Sequence, residues 1–424
     1  MTALESTQRV VVVGQGYVGL PVAVRAVEAG FDVVGFDIDE ARVKALADGV
    51  SFVEDVTGER LRAALASGRF TPSSDTASCA GFDIAVISVP TPLREGAPDL
   101  SYIEAAAETL SGHLDAGSCV ILESTTYPGT TEELVQPILE RGSGLRAGEQ
   151  FHLGYSPERI DPGNPVWTFE RTPKVVSGID ARSLAAVDAF FSRLVDTTVP
   201  VASTKAAELT KLLENTFRHV NIALVNELAM FANDLGIDVW DAIDAASTKP
   251  FGFMKFRPGP GVGGHCLPID PSYLSWRVKQ SLGHSFRFVE LANDVNEHMP
   301  AYVARRLVLA FNDRGLAVRG RRILLLGLSY KKNTGDNRES PSKMVAKELI
   351  DLGASVRAAD PFASPGRGPK DVELVDLTPE ELAAADVVVL LVDHDTFDYE
   401  AVTTHARFVL DCCHRIQGDN VAYL

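Results

Sequence analysis

Long apolar runs are missing from this 424-residue chain. None approaches the roughly 18 residues that a transmembrane helix needs, so no membrane span is expected. The first residues, Met1 to Arg9, are polar and mixed, and no secretory leader is expected there. Cysteine is scarce. Five residues without regular spacing fit a reducing, cytoplasmic setting better than a disulfide framework. Cys79 and Cys119 sit in or just before apolar strand-like segments and read as core fillers. Cys412-Cys413-His414 stands at a strand end with no second pair to complete a ligand set, so no metal is expected. Basic residues are in deficit, 40 against 57 acidic ones, for a formal net charge of -17. Nucleic-acid affinity rests mainly on phosphate neutralisation, so this balance argues against DNA or RNA as a partner.

What is present begins with 46% hydrophobic residues, enough for buried cores. The length suggests two to three domains at about 150 residues each. A short β-branched run, Arg9 to Val13, is followed at once by Gly14-Gln15-Gly16-Tyr17-Val18-Gly19. An Ala- and Val-rich helical stretch runs to Gly30, and a second strand, Asp32 to Phe36, ends in Asp37. Strand, glycine turn, helix and strand make the βαβ unit that binds dinucleotides. Its glycines allow a tight turn and a close approach of the pyrophosphate, and the helix N-terminus offers free N–H groups. Asp37, 23 residues after Gly14, is placed to accept both ribose hydroxyls of NAD and to repel the extra phosphate of NADP. Further strands are expected at 84–89, 119–122, 151–155 and 174–177. Their alternation with helices predicts a parallel sheet covered on both faces.

From residue 203 the pattern changes. Leu209, Leu212, Leu213, Phe217, Val220, Leu224, Leu228, Phe231 and Leu235 follow the 3.6-residue period. They predict a helix roughly 45 Å long, suited to joining domains or building a dimer interface. A second helical region is expected over 286–312. The last third returns to strands at 322–326, 355–359, 386–392 and 407–410, with a helix over 340–352. It has Gly327-Leu328-Ser329-Tyr330-Lys331-Lys332 where the first unit has its glycine triplet. The expected fold is α/β: two Rossmann-like doubly wound parallel-sheet domains, 1–202 and 313–424, joined by a helical central domain, 203–312, with a long helix.

The central region carries the run Gly259-Pro260-Gly261-Val262-Gly263-Gly264-His265-Cys266-Leu267-Pro268-Ile269-Asp270. Four glycines and two prolines forbid a regular element there and let the backbone approach a ligand closely. Cys266 in such a loop is a candidate nucleophile, and Asp270 can serve it or its water. A nicotinamide enzyme that only interconverts alcohol and carbonyl needs no thiol. One that continues to the carboxylic acid does, because the aldehyde must become a hemithioacetal before a second hydride can leave. His265 beside Cys266 does not make a catalytic pair, since adjacent loop residues usually point apart.

Lys211 and Asn215 are four residues apart on one face of the long helix. They read either as a solvated pair or as a pair that stabilises an oxyanion beside a nicotinamide; their mostly apolar helix favours the second. Residues 123–131 and Glu158, in Ser156-Pro157-Glu158-Arg159, both follow strands, at the edge where doubly wound sheets bind ligands. Either also reads as an ordinary turn. Arg257, Lys331, Lys332 and Arg338 are cations near loops of an acidic chain, a setting that suits phosphate binding.

Taken together, Gly14 to Gly19 with Leu20-Pro21, Ser88-Val89-Pro90-Thr91-Pro92, and the runs 123–131, 208–215, 261–270 and 331–340 resemble the UDP-glucose/GDP-mannose dehydrogenase family. These are NAD-dependent nucleotide-sugar 6-dehydrogenases, and the resemblance spans essentially the whole chain. Pro90-Thr91-Pro92 and Gly263-Gly264-His265-Cys266 are worded most like bacterial members acting on UDP-N-acetylhexosamines or UDP-glucose. The resemblance implies Cys266 as nucleophile, Lys211 and Asn215 as oxyanion holders, Asp270 and Thr125 around the catalytic water, and Glu158 as acid or base. It implies NAD on Gly14, Gly16, Tyr17, Val18, Gly19, Asp37, Arg42, Thr91, Thr125 and Arg338. A UDP-sugar would meet Glu158, Arg159, Lys211, Asn215, Arg257, Gly263, Cys266, Tyr330 and Lys331, in a homodimer built on the long helix. One departure stands out: Arg159-Ile160-Asp161-Pro162-Gly163 follows Glu158 where animal members carry another acidic residue. Two other functions compete: a single-step β-hydroxyacid dehydrogenase using the Lys-x-x-x-Asn helix, and a non-catalytic NAD and sugar-nucleotide sensor. The first would need neither Cys266 nor an α/β lobe after residue 320, and the second would leave Lys211, Asn215, Cys266 and Asp270 without work.

Overall fold

The structure is a computed structural model that describes residues 7–424 except 54, 95, 162, 163, 165, 265, 266, 268, 338, 364–368 and 370. The chain divides into two compact units, Met1–Glu214 and Asn215–Leu424.

The first unit is built on β1 (Arg9–Val13), β2 (Asp32–Phe36), β3 (Phe70–Ser73) and β4 (Ile84–Ile87). After a small hairpin of β5 (Leu93–Arg94) and β6 (Ala97–Pro98) come β7 (Cys119–Leu122), β8 (His152–Tyr155), β9 (Lys174–Gly178) and β10 (Thr198–Pro200). The sheet order is β10-β9-β8-β7-β4-β1-β2-β3, so its direction of growth reverses between β1 and β4. β1 shows why a strand buried on both faces reads as an unbroken apolar run. Val10 and Val12 enter one core with Leu20, Val24 and Phe31, while Val11 and Val13 enter the other with Ile103, Leu110 and Leu139. Cys79 and Cys119 are both buried in these cores.

Within the eight-stranded sheet, one strand pair departs from the all-parallel expectation. β8 and β9 are antiparallel, with Tyr155 opposite Ser177. A parallel connection needs a crossover of a dozen or more residues, usually a helix. The described residues between β8 and β9 contain no helix, and the chain turns back instead. β10 then pairs parallel to β9 after the helix Ala181–Phe191. This reversal brings the first residue of β9, Lys174, to the carboxyl edge of β8.

The second unit carries β11 (Arg322–Leu326), β12 (Ser355–Ala359), β13 (Glu373–Leu374), β14 (Val387–Leu390), β15 (Val409–Asp411) and β16 (Val421–Tyr423). All pairs are parallel, in the order β13-β12-β11-β14-β15-β16. Its first turn repeats a device of the first unit. Gly14 and Gly327 both adopt a left-handed φ, 88° and 87°, and both backbone N–H groups bond to the last carbonyl of the neighbouring strand, Phe36 and Ala359. The strand-end Asp37 accepts from Gln15 N at 2.8 Å, and its counterpart Asp360 accepts from Leu328 N at 2.7 Å.

The long helix spans Thr204–Asp234. Ala207, Leu212, Ala223 and Ala229 are buried, but Leu213 is 62%, Leu224 53% and Phe231 56% exposed. The 3.6-residue period is present, yet the chain does not cover the face that carries the largest side chains. Arg287–Asn312 forms the second helical region. Two shorter helices, Val239–Ser247 and Asp270–Leu282, lie in stretches for which no helix was expected. The first had a readable start, because the Asp238 carboxylate accepts from Trp240 N and Asp241 N as an N-cap.

Candidate active site

At the carboxyl end of β1 the chain passes through Gly14 into the helix Gly19–Glu28. A Cβ on Gly14 would fall 2.2 Å from Ser88 O, and one on Gly19 would fall 1.8 Å from Gly14 O. Only hydrogen fits at either position. At Gly16, by contrast, a Cβ would meet nothing within 4 Å. The helix start has no side-chain cap and no acidic residue in its first turn. The result is a bare, electropositive N-terminus beside open space, which fits the pyrophosphate of a dinucleotide. Tyr17 is exposed, and Val18 is half-buried at the N-cap. The Asp37 carboxylate is 5% exposed and takes Gln15 N on Oδ2, Asp39 N on Oδ1 at 3.0 Å, and Arg42 Nη1 on Oδ2 at 2.9 Å. A carboxylate fixed this rigidly at the end of β2 suits a ribose diol. Arg42 is drawn to the same place. Thr91 is buried beyond β4.

Along the edge of the same sheet lies a buried group of charges. Lys174 Nζ donates to Glu123 Oε1 at 2.5 Å and to Glu158 Oε2 at 3.0 Å. Glu158 Oε1 accepts from Arg159 N at 2.5 Å and Ile160 N at 2.6 Å. Burial opposes ionisation of Glu158, but Lys174 and the backbone donor of Ile160, with a further contribution from Lys211, outweigh it and hold its carboxyl below the usual range. Glu123 goes the other way. Burial pushes its carboxyl up to about 7 although Lys174 pulls it down. Lys174 keeps its charge because the two carboxylates overcome the cost of its burial.

Thr125 is half-buried in the turn after β7, whose neighbour Ser124 is pinned to Val89 N and O at 2.9 Å each. The far end of this turn is tied to the long helix. Glu208 accepts from Gly129 N at 2.5 Å, Thr131 N at 2.9 Å and Thr131 Oγ1 at 2.7 Å. Burial raises the Glu208 carboxyl to about 7 against the pull of these donors. Lys211, one helical turn further on, is buried. Arg159 pairs with Glu214 at 2.7 Å and donates to Pro173 O at 2.6 Å.

In the second unit, Asn215 Nδ2 donates to Asp270 Oδ2 at 2.5 Å. This bond joins the long helix to the end of the glycine-rich loop, where Asp270 opens the helix Asp270–Leu282 and is 3% exposed. The loop also packs tightly on the other side. A Cβ on Gly263 would fall 2.8 Å from the Tyr330 side chain, and one on Gly264 would fall 2.8 Å from the Tyr330 ring. Tyr330 and Lys331 are half-buried in the turn after β11, and Arg257 is exposed. Cys266, its neighbour His265, and Arg338 lie outside the described residues.

In the sequence, Glu123 and Glu208 fall within the runs 123–131 and 208–215 but are given no role of their own, and Lys174 is not singled out. A signal existed for Lys174 and Glu123: the first heads the buried strand β9, Lys-Val-Val-Ser-Gly, and the second directly follows the apolar strand β7. Nothing in the local sequence marks Glu208, whose partners Gly129 and Thr131 lie far along the chain.

Comparison with known proteins covers almost the entire chain. Models of the UDP-glucose/GDP-mannose dehydrogenase family match in three parts: the NAD binding domain at residues 8–195, the central domain at 205–298 and the UDP binding domain at 324–417. The chain is 38% identical to Protein CapL of Staphylococcus aureus, over 96% of its own length and 94% of that protein. It is also 38% identical to the UDP-N-acetyl-D-glucosamine 6-dehydrogenase of Pseudomonas aeruginosa, over 92% of its length and 91% of that protein. Among solved structures, the UDP-D-ManNAc dehydrogenase of Pyrococcus horikoshii is similar with a TM-score of 0.89 and 32% identity, covering 98% of each chain.

Proposed function

Because the chain belongs to the UDP-glucose/GDP-mannose dehydrogenase family, we propose that its substrate is a UDP-N-acetylhexosamine and that its chemistry runs through a thioester on Cys266. The reaction is an NAD-dependent, four-electron oxidation of the C6 hydroxymethyl group of a UDP-hexose to the uronic acid. The choice among hexoses follows the relatives, several of which are named dehydrogenases of UDP-N-acetylglucosamine or UDP-N-acetylmannosamine.

Bound NAD supplies the hydride acceptor, two equivalents per turnover. The Gly14–Gly19 turn and the helix start would hold its pyrophosphate and Asp37 and Arg42 its ribose end, with Thr91, Thr125 and Arg338 as further cofactor contacts. Asp270 and Thr125 hold the water that takes the alcohol proton. Cys266 adds to the aldehyde, and Lys211 and Asn215 stabilise the oxyanion that forms. Glu158 takes the proton of the water that cleaves the thioester. Arg159, Arg257, Gly263, Tyr330 and Lys331 contact the sugar nucleotide. In this reading 1–202 serves NAD, 203–312 carries the catalytic helix and loop, and 313–424 serves the UDP-sugar.

The observation that carries the reading is the 2.5 Å bond between Asn215 and Asp270. It couples the Lys-x-x-x-Asn helix to the cysteine loop, which a single-step alcohol dehydrogenase does not need. We further propose a cytoplasmic homodimer without nucleic-acid or membrane partners. The exposed apolar face of the long helix and the net charge of -17 support this. Among the described residues no helix is long and apolar enough to cross a membrane. The test is a panel of sugar nucleotides assayed for NADH. UDP-N-acetylglucosamine or UDP-N-acetylmannosamine should give the highest kcat/KM. A clear preference for UDP-glucose would overturn the choice of sugar. Acid formation by the Cys266→Ser variant would overturn the thioester.

A further inference from the structure

Lys174 has no role in the reaction as derived so far, yet burying its charge is costly and the fold has accepted that cost. The residue is 3% exposed, its ammonium lies 5.5 Å from the Phe169 ring centroid and 5.0 Å from that of Phe191, and it donates to Glu123 and Glu158. A lone buried cation of this kind would neutralise. Here two carboxylates from different strand ends hold it charged, and the antiparallel turn from β8 to β9 is what delivers it to them.

We propose that Lys174 is a positioning residue: anchored by Glu123, it fixes the orientation and charge of Glu158 as the base for thioester hydrolysis. The inference rests on the assignment of Glu158 made above. In that step the water oxygen bonds to the thioester carbon and its proton passes to Glu158. The carbon–sulfur bond then breaks, and the Cys266 thiolate leaves with the bonding pair. No electrons are exchanged, so the step needs no second oxidant. The geometry leaves Glu158 little freedom. Oε1 is held by two backbone N–H groups and Oε2 by Lys174. Among the described residues nothing else donates to Glu158, so the remaining lone pair on Oε2 is open to a water, and Lys174 decides where it points.

The ionisable groups around Glu158 are Lys174 from β9, Glu123 from the end of β7, Lys211 from the long helix, and Arg159 with its partner Glu214. Their charges make two different predictions. In Lys174→Met the nearest cation is gone, the Glu158 pKa rises, and the acidic limb of the kcat profile moves to higher pH. In Glu123→Gln the limb stays, because the Glu123 carboxyl, pushed up to about 7, is already neutral where Glu158 titrates. A purely structural lysine predicts no shift in either variant.

Rapid mixing of holoenzyme, NAD and the sugar nucleotide that the panel selects provides the test. Lys174→Met should give a burst of two NADH per active site and then stall, with kcat down by about a hundredfold, the lower range for an acid–base group. KM should change little, and Lys174→Arg should restore most of the rate. Glu158→Gln should show the same burst and stall. Lys174→Met with a normal steady state and an unmoved acidic limb would overturn the inference. So would loss of the burst together with loss of native circular dichroism, if Lys174→Arg does not rescue it. Glu158→Gln with normal turnover would remove the base assignment and the role of Lys174 with it. Wild-type protein that produces no NADH from any sugar nucleotide would overturn the functional reading itself.

Discussion

Glu208 reports on the price of tying the turn after β7 to a helix with a buried carboxylate. Its carboxyl lies near 7 in the folded chain against 4.5 in the open, because burial outweighs three donors. A carboxyl raised in this way contributes stability that is complete below the unfolded value and lost as pH rises through the folded one. Its share is at most about 3 kcal/mol. Glu208→Gln cannot ionise, and its single amide oxygen can accept from Thr131 or from Gly129 but not from both. The fall in thermal midpoint between pH 5 and 8 should therefore be shallower in the variant than in the wild type; an identical slope would show that Glu208 does not carry it. Residues of this kind were hard to see in the sequence, and the reason is physical. Asp37 and the Lys211–Asn215 pair declare themselves through local spacing, one at a strand end and the other across a helical turn. Glu208 meets Gly129 and Thr131 from far along the chain, and Lys174 meets Glu123 the same way. No local pattern encodes such partners.

At the scale of elements, the glycine turn of the first unit separates two roles that one motif combines. Gly19 is needed for packing, since any Cβ there meets the Gly14 carbonyl. Gly16 faces open space, and its proposed role is to let the cofactor approach the backbone. Gly16→Ala should fold with a wild-type melting curve and bind NAD at least about tenfold more weakly, a loss of 1.4 kcal/mol or more. Gly19→Ala should lower the melting temperature by several degrees even without NAD. Isothermal titration and thermal melts separate the two outcomes; a destabilised Gly16→Ala would reverse the assignment. The strands and long helices were legible because each buries a periodic apolar face, as in β1, β11 and Thr204–Asp234. The direction of β9 was not. Alternation of strands and helices implies parallel pairing only where a crossover helix is present, and the described residues between β8 and β9 have none.

For the whole molecule, the outward face of the long helix sets the expectation. Leu213, Phe217, Leu224, Leu228 and Phe231 together expose an apolar surface that a single chain leaves uncovered. If a second copy covers it, Leu213→Glu combined with Leu228→Glu should convert a dimer into a folded monomer, as seen by light scattering. A wild-type protein that is already monomeric at micromolar concentration would contradict the dimer. The central claim, however, concerns chemistry: one chain takes an alcohol through two oxidations without releasing the aldehyde. It is tested most directly by counting NADH formed per sugar nucleotide consumed at completion. Two NADH per sugar are expected, with the product carrying a carboxylate at C6. One NADH per sugar, with a free aldehyde as product, would contradict it.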